Sequence, residues 1–350
     1  MVSTFDRLYM TPSKKPSLKA IVMLSDLAPD KLEALYRARK RLKKYYFLQY
    51  SHLSDGLSRL TLQKEIRGKT VSGEVILEAN PSGYWLAYTN EPGYFVRHVV
   101  EPLLNGLYPD VSRVYFNYKQ ILKFLQALQI EYKGSSVLTS IAIKRQAKSG
   151  VGQKERGTLM LWEHGAEREL EKQAERYRLW IDHIGFEIRD QSDLPILFGS
   201  MTGRGVARLR YGSFTEFNQK FLFLFVATVM KWKEFFSNRE RTLVDGTVHL
   251  SPYRLRYPFE LENRQIAEVS HRLQNIYSFS PIHESNPYFA ASISDYVDGS
   301  SFGFSVLGDR VTITPLSKAT PFALWKLASR IQAVIGECEV ETVPQRLEAG

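Results

Sequence analysis

The chain has 350 residues, more than one hydrophobic core usually serves, so length alone points to two domains. Its 47 Lys and Arg against 37 Asp and Glu give a formal charge of +10, a balance that favours anionic partners such as nucleic acid, an acidic membrane surface or an acidic protein. A composition of 44% hydrophobic and 13% aromatic residues excludes extensive disorder, and the single cysteine, Cys338, excludes an internal disulfide framework and a cysteine-based zinc site.

Residues 1–17 read as a flexible lead with Pro12 and Pro16 around Lys14 and Lys15, lacking the apolar stretch of a secretory signal. LKAIVML, beginning at Leu18, has the composition of a first strand. The densest basic and aromatic stretch follows, from Asp30 to Tyr50, and is expected as a two-faced helix. At about 100° per residue, Leu32, Leu35, Tyr36, Leu42 and Tyr46 form one stripe, while Arg37, Lys40, Arg41 and Lys44 gather on a separate arc. Arg39 falls inside the apolar stripe, so either the stripe is shallow or Arg39 reaches an internal acidic partner.

Leu57 to Ile66, Thr70 to Ala79 and Tyr84 to Thr89 then read as an antiparallel meander, punctuated by Gly68, Gly73 and the Asn80, Pro81, Gly83 cluster. Tyr94 to Leu107 is helical in character, with Pro102 placed to kink or restart it. Val111 to Phe116 returns to strand. Asn117 and Gln120 resemble a capping pair for a helix through Gln129, with Ile121, Leu122, Leu125 and Leu128 at helical spacing. Val137 to Ile143 and Thr158 to Trp162 read as a hairpin whose long Gly-containing tip region carries Lys144, Arg145, Lys148, Lys154 and Arg156. His164 to Ile184 follows as a charged helix bridging two domains.

The second half opens with strands around Phe186 and Leu194. In the strand from Arg204 to Tyr211, Arg204, Val206, Arg208 and Arg210 share one face, and Gly205, Ala207, Leu209 and Tyr211 take the other. Ser213 and Glu216 form a capping-box pattern before FNQKFLFLFVATVMKW, whose nearly continuous apolar character marks a deeply buried helix. Its apolar run, Phe221 to Met230, is too short to cross a bilayer, so no membrane partner is expected and a soluble cytoplasmic protein is. In YRLRY, Arg254 and Arg256 point opposite to Tyr253, Leu255 and Tyr257. Pro258 suits a helix start, with Leu261, Ile266, Val269, Leu273 and Ile276 on one face. Strands at Tyr288 to Tyr296, Phe302 to Leu307 and Arg310 to Thr314 precede a last helix between Pro321 and Gly336.

These elements predict an α+β fold with mixed or largely antiparallel sheets packed against helices. The domain reading is a lead at 1–17, an N-terminal α+β domain at 18–163, a bridging helix at 164–184, a C-terminal α+β domain at 185–345 and a tail at 346–350.

Enzymatic signatures fail on physical grounds. Gly68, Lys69 and Thr70 resemble the end of a phosphate loop, but Gln63 stands where the first glycine must make the tight turn. The seven histidines are scattered without helical metal-site spacing. SDYVDGSS offers Asp295 and Asp298, which could hold Mg or Mn in a metal-dependent nuclease, although Asp-Gly is also a common turn solution. No cofactor is otherwise expected. Basic surfaces recur instead, at Arg37, Lys40, Arg41 and Lys44, at the hairpin tip, and at Arg204, Arg208, Arg210, Arg254 and Arg256. Guanidinium forks suit phosphate oxygens, so the expectation is a nucleic-acid-binding protein contacting mainly the phosphate backbone, a non-catalytic accessory subunit whose protein partner would supply any catalysis. Tyr45, Tyr46 and Tyr211 are candidates for stacking on unpaired bases. The alternatives are the nuclease and a protein-interaction scaffold with an acidic partner.

Overall fold

The computed structural model describes residues 17–28, 31–40, 42, 46–54, 56–116, 118–132, 136–145, 156–161, 179–237, 241–244, 247–284, 288–316, 319–336 and 338–343; at 118–119, 136–145, 156–161, 179–183 and 241–250 the description covers the backbone only. The fold is α+β and its strand pairings are antiparallel. The larger sheet contains β1 (Leu18–Leu24), β2 (Tyr46–Ser54), β3 (Leu57–Ile66), β4 (Lys69–Asn80), β5 (Tyr84–Thr89), β6 (Ser112–Arg113), β7 (Ser136–Arg145), β8 (Arg156–Leu161), β9 (Leu179–Arg189), β10 (Pro195–Thr202) and β11 (Val206–Gly212). Its spatial order is β2-β3-β4-β5-β1-β11-β10-β9-β7-β8, with β6 beside β1. The first strand is thus central, paired with β5 on one side and with β11, nearly two hundred residues later in the chain, on the other.

Alternation along β1 sets the layers. Ala20, Val22 and Leu24 join one buried cluster and Ile21 and Met23 the other, because successive strand residues face opposite ways. On the second face lie α1 (Lys31–Ala38) and α2, a continuous helical run at residues 93–106 with a wide π turn at Val96–Val100. Pro102 has no N–H to donate to His98 O; the Lys64 ammonium takes that carbonyl at 3.1 Å instead. On the first face lie α3 (Tyr118–Glu131) and α4, residues 214–237. Phe217, Phe221 and Phe225 recur every fourth residue in α4 and are fully buried. Phe221 stacks on Phe186 of β9 with ring centroids 4.1 Å apart and meets Phe124 of α3 edge-on at 5.1 Å.

Strands β12 (Arg241–Val244) and β13 (Thr247–Leu250) form a separate ribbon. The second large sheet contains β14 (Tyr253–Arg256), β15 (Tyr277–Glu284), β16 (Tyr288–Asp295), β17 (Ser301–Leu307), β18 (Arg310–Pro315) and β19 (Glu339–Thr342), ordered β15-β16-β17-β18-β14-β19. Its apolar face, including Ile293, Phe302, Phe304, Val311 and Ile313, belongs to the same buried cluster as α4, α5 (Asn263–Gln274) and α6 (Pro321–Ile335). Thr320 caps α6 by accepting from Ala323 N at 3.2 Å, and Gly336 ends it at φ 127°, where a side chain would be strained. Cys338 is buried in that cluster.

Several sequence expectations are corrected. The helix expected over Asp30 to Tyr50 stops its regular run at Ala38, and Tyr46–Ser54 is β2, where Tyr46 and Leu48 are buried while Phe47 and Gln49 are exposed. That period of two belongs to a strand. The expected helix from His164 to Ile184 is a strand from Leu179 onward; residues 162–178 lie outside the described residues. Helix α5 starts at Asn263 rather than Pro258, with a capping box between Glu262 and Gln265, whereas Ser213 makes no side-chain cap to α4. The strand expected at Val111 to Phe116 is reduced to Ser112–Arg113.

Candidate anion-binding face of the large sheet

Strand β11 crosses the middle of the large sheet between β1 and β10. Val206 packs on the cluster under α1 and α2, and Arg208, two residues on, shares its face. The register then slips. Gly199 of β10 lies opposite Leu209, but Phe198 lies opposite Tyr211, which leaves Arg210 as the extra residue of a β-bulge. Tyr211, which strict alternation would put on the face of Leu209, lies instead opposite Phe198 on the side of Arg210 and is 57% exposed. Arg210 lies over the Phe198 ring, its guanidinium carbon 5.5 Å from the centroid. Gly199 makes the bulge possible: a Cβ there would collide with Arg208 O and with the Phe186 ring.

Lys19 of β1 is the cross-strand partner of Arg208. It is only 3% exposed, and its ammonium donates to Ser17 O and Ser17 Oγ, both at 3.1 Å, and to Glu91 O at 2.5 Å. Burial, reinforced by the Arg208 charge and opposed by Glu91, pushes its pKa down to about 8. Burial and the neighbouring Arg210 charge likewise lower Arg208. Neither Arg208 nor Arg210 makes an ion pair or side-chain hydrogen bond among the described residues. Arg208 also reaches the start of α2, where a Cβ on Gly93 would stand 3.5 Å from its Nη2. The preceding residue, Pro92, offers no side-chain cap to that helix end. Three cations and the positive end of a helix therefore share one corner, where Glu91 offsets part of the charge on Lys19 and the repulsion between Arg208 and Arg210 is left for an incoming anion to relieve.

The other basic segments fare unequally. Arg37 is paired with Glu33 at 2.5 Å one helical turn away, Lys40 is exposed, and Arg41 and Lys44 lie outside the described residues. Arg39 reaches Asp110 at 2.9 Å, so the internal acidic partner is the correct alternative for it. Arg204 sits exposed in the turn between β10 and β11 rather than on the strand. Lys144 pairs with Arg156 across β7 and β8, which establishes the hairpin, but the side chains of Lys144, Arg145 and Arg156 and all of Lys148 and Lys154 lie outside the description. The hairpin's β8 stands four strands from β11, about 19 Å away at ordinary strand spacing. Arg254 and Arg256 do alternate with buried Tyr253 and Leu255, yet they belong to the other sheet, so the two arginine-bearing strands form no common platform. Arg254 is paired with Glu341 at 3.2 Å and Arg256 with Asp309 at 3.5 Å.

Tyr46 is buried and its hydroxyl lies 3.0 Å from the Lys64 ammonium, so it offers no ring face for stacking; Tyr45 lies outside the described residues. Lys19 and Phe198 escaped the sequence reading. The available signal for Lys19 was one cation inside an otherwise apolar strand, placed on the same face as Ile21 and Met23.

Asp295 and Asp298 come together, but as a turn and an internal ionic knot. Asp295 has no exposed side-chain surface; its Oδ2 is 2.8 Å from the Lys326 ammonium and its Oδ1 accepts from Val297 N at 2.9 Å. Asp298 Oδ2 accepts from Tyr108, Ser300 and Thr320 hydroxyls at 3.2, 2.9 and 3.0 Å, and its Oδ1 accepts from Ser300 N at 2.8 Å. All four carboxylate oxygens are thus engaged by the protein itself. Burial and the two carboxylates push the Tyr108 phenol far upward, keeping it a neutral donor.

No protein-family model matches the sequence, and no curated protein is significantly similar to it. No helix among the described residues is long and apolar enough to cross a membrane.

Proposed function

We propose that the chain binds nucleic acid, mainly through the phosphate backbone, on the face bordered by Lys19, Arg208 and Arg210, and that it acts as a non-catalytic accessory subunit. The observation that carries this reading is the pair of guanidiniums, Arg208 and Arg210, with no ion-pair or side-chain hydrogen-bond partner among the described residues, set beside a helix N-terminus and backed by the buried Lys19 ammonium. Paired arginines elsewhere, such as Arg254 and Arg256, already have carboxylate partners. Planar guanidiniums on a rigid strand present donors that fit phosphate oxygens with little loss of freedom on binding. Contacts of this kind position a polyanion without reading its sequence.

The arrangement at Asp295 and Asp298 gives the nuclease alternative no support, because Lys326, Tyr108, Ser300 and Thr320 hold those carboxylates as structural acceptors. An acidic protein partner would use the same cationic face.

Fluorescence anisotropy with labelled single-stranded DNA, duplex DNA and RNA at low salt tests the reading. Binding is expected and should weaken in Arg208→Glu and Arg210→Glu. Absence of binding to every probe, or variants indistinguishable from wild type, would refute it.

A further inference from the structure

Resting on the nucleic-acid reading, we infer that the ligand of this face is an unpaired strand whose bases stack on Tyr211 beside the guanidiniums of Arg208 and Arg210. The inference comes from the bulge. A regular β11 would send Tyr211 toward the buried side with Leu209, but the extra residue at Arg210 places the ring opposite Phe198 on the cationic side. There it is 57% exposed, and no ring contact or side-chain hydrogen bond holds it among the described residues. Phe198 lies next to it across the strand pair, covered by Arg210 at 5.5 Å, so an aromatic pair and two cations alternate over a few residues of sheet.

A duplex offers such a ring no base face to cover, since its base faces are buried in the helical stack. The ring would meet only phosphates and sugars. An unpaired base presents a π-face that an exposed tyrosine can cover whatever the base, while neighbouring arginines take the flanking phosphates. Strand β11 places Tyr211 and Arg208 about 10 Å apart, so one extended strand can touch both.

The test compares three probes of about 15 nucleotides on the full chain: a base-bearing single strand, an abasic strand of equal length and charge, and a duplex. The base-bearing strand is expected to bind about tenfold more tightly than the abasic one. Tyr211→Ala should remove that advantage and leave abasic and duplex binding unchanged, whereas Tyr211→Phe should retain it. Arg208→Gln should weaken all three probes. Equal binding of base-bearing and abasic strands, or a Tyr211→Ala protein with wild-type preference, overturns the stacking inference; if Arg208→Gln still weakens binding, the phosphate reading survives. No binding by any probe overturns both. Because Tyr211 is exposed, its replacement should leave the fold intact, which the melting temperature checks.

Discussion

Replacing Asp295 with Asn keeps the shape of the side chain and the Oδ1 acceptor for Val297 N, 2.9 Å away, but removes the charge facing Lys326 at 2.8 Å. The carboxylate is fully buried and the lysine side chain 16% exposed, so the ammonium is left largely desolvated without its counter-charge. Breaking one partner of a buried pair costs about 3–5 kcal/mol. The lower part of that range applies, because Lys326 also sits 3.8 Å from the Tyr108 ring centroid, a cation–π contact that survives and retains about 0.5–2 kcal/mol. Asp295→Asn should therefore destabilise the protein by about 3 kcal/mol. The double variant Asp295→Asn with Lys326→Met removes the orphaned charge and should recover roughly 2 kcal/mol of that loss. Urea unfolding followed by tryptophan fluorescence measures both, with Trp325 next to Lys326 in α6 as a local reporter. A single variant within about 0.5 kcal/mol of wild type, or a double variant worse than the sum of its parts, would refute the counter-ion role.

Gly199→Ala forces a Cβ into Arg208 O and Phe186, so it should destabilise the protein by about 1–3 kcal/mol and weaken nucleic-acid binding by disturbing the bulge; a melting temperature and affinity equal to wild type would contradict this. Phe221→Ala empties a site ringed by Phe124, Phe186 and Phe217 and should cost about 3–5 kcal/mol in the same unfolding assay. Lys19 has a folded pKa of about 8 against 10.5 for the free side chain, so between these values the unfolded state binds more protons and the Lys19 contribution to stability rises with pH. Wild type should accordingly gain stability relative to Lys19→Met on going from pH 7.5 to about pH 9.5, and a constant difference would refute the burial cost. Over the same interval, loss of the Lys19 charge should weaken anion binding by wild type.

Much of the fold was legible because its strands carry clean alternation and its central helix is apolar on nearly every side. The meander of β3, β4 and β5 and the helix at 214–237 follow directly from those patterns. The stretch from Asp30 to Tyr50 imitates one helix because Leu32, Tyr36, Leu42 and Tyr46 fit a helical stripe and are all buried, although the last belongs to a strand. The preference of strands for aromatic residues favours YFLQY there, and tertiary pairing with β3 decides the matter. Arg39 could not be resolved from local sequence, since its partner Asp110 is 71 residues away. The candidate face was half legible: alternation put Arg208 and Arg210 together, but the register slip that adds Tyr211 and Phe198 depends on the β10 pairing and leaves no mark within β11 alone. The pairing of Lys19 with Arg208 likewise depends on a contact between distant strands.

The central claim is that a compact cationic face on β1 and β11 takes phosphates, and the slope of log binding constant against log salt tests it most directly. Each lost phosphate contact should reduce that slope by about 0.7 to 0.9, so Arg208→Gln combined with Arg210→Gln should flatten it by roughly 1.4 to 1.8 relative to wild type. A wild-type slope near zero, or a double variant with the wild-type slope, would contradict the account.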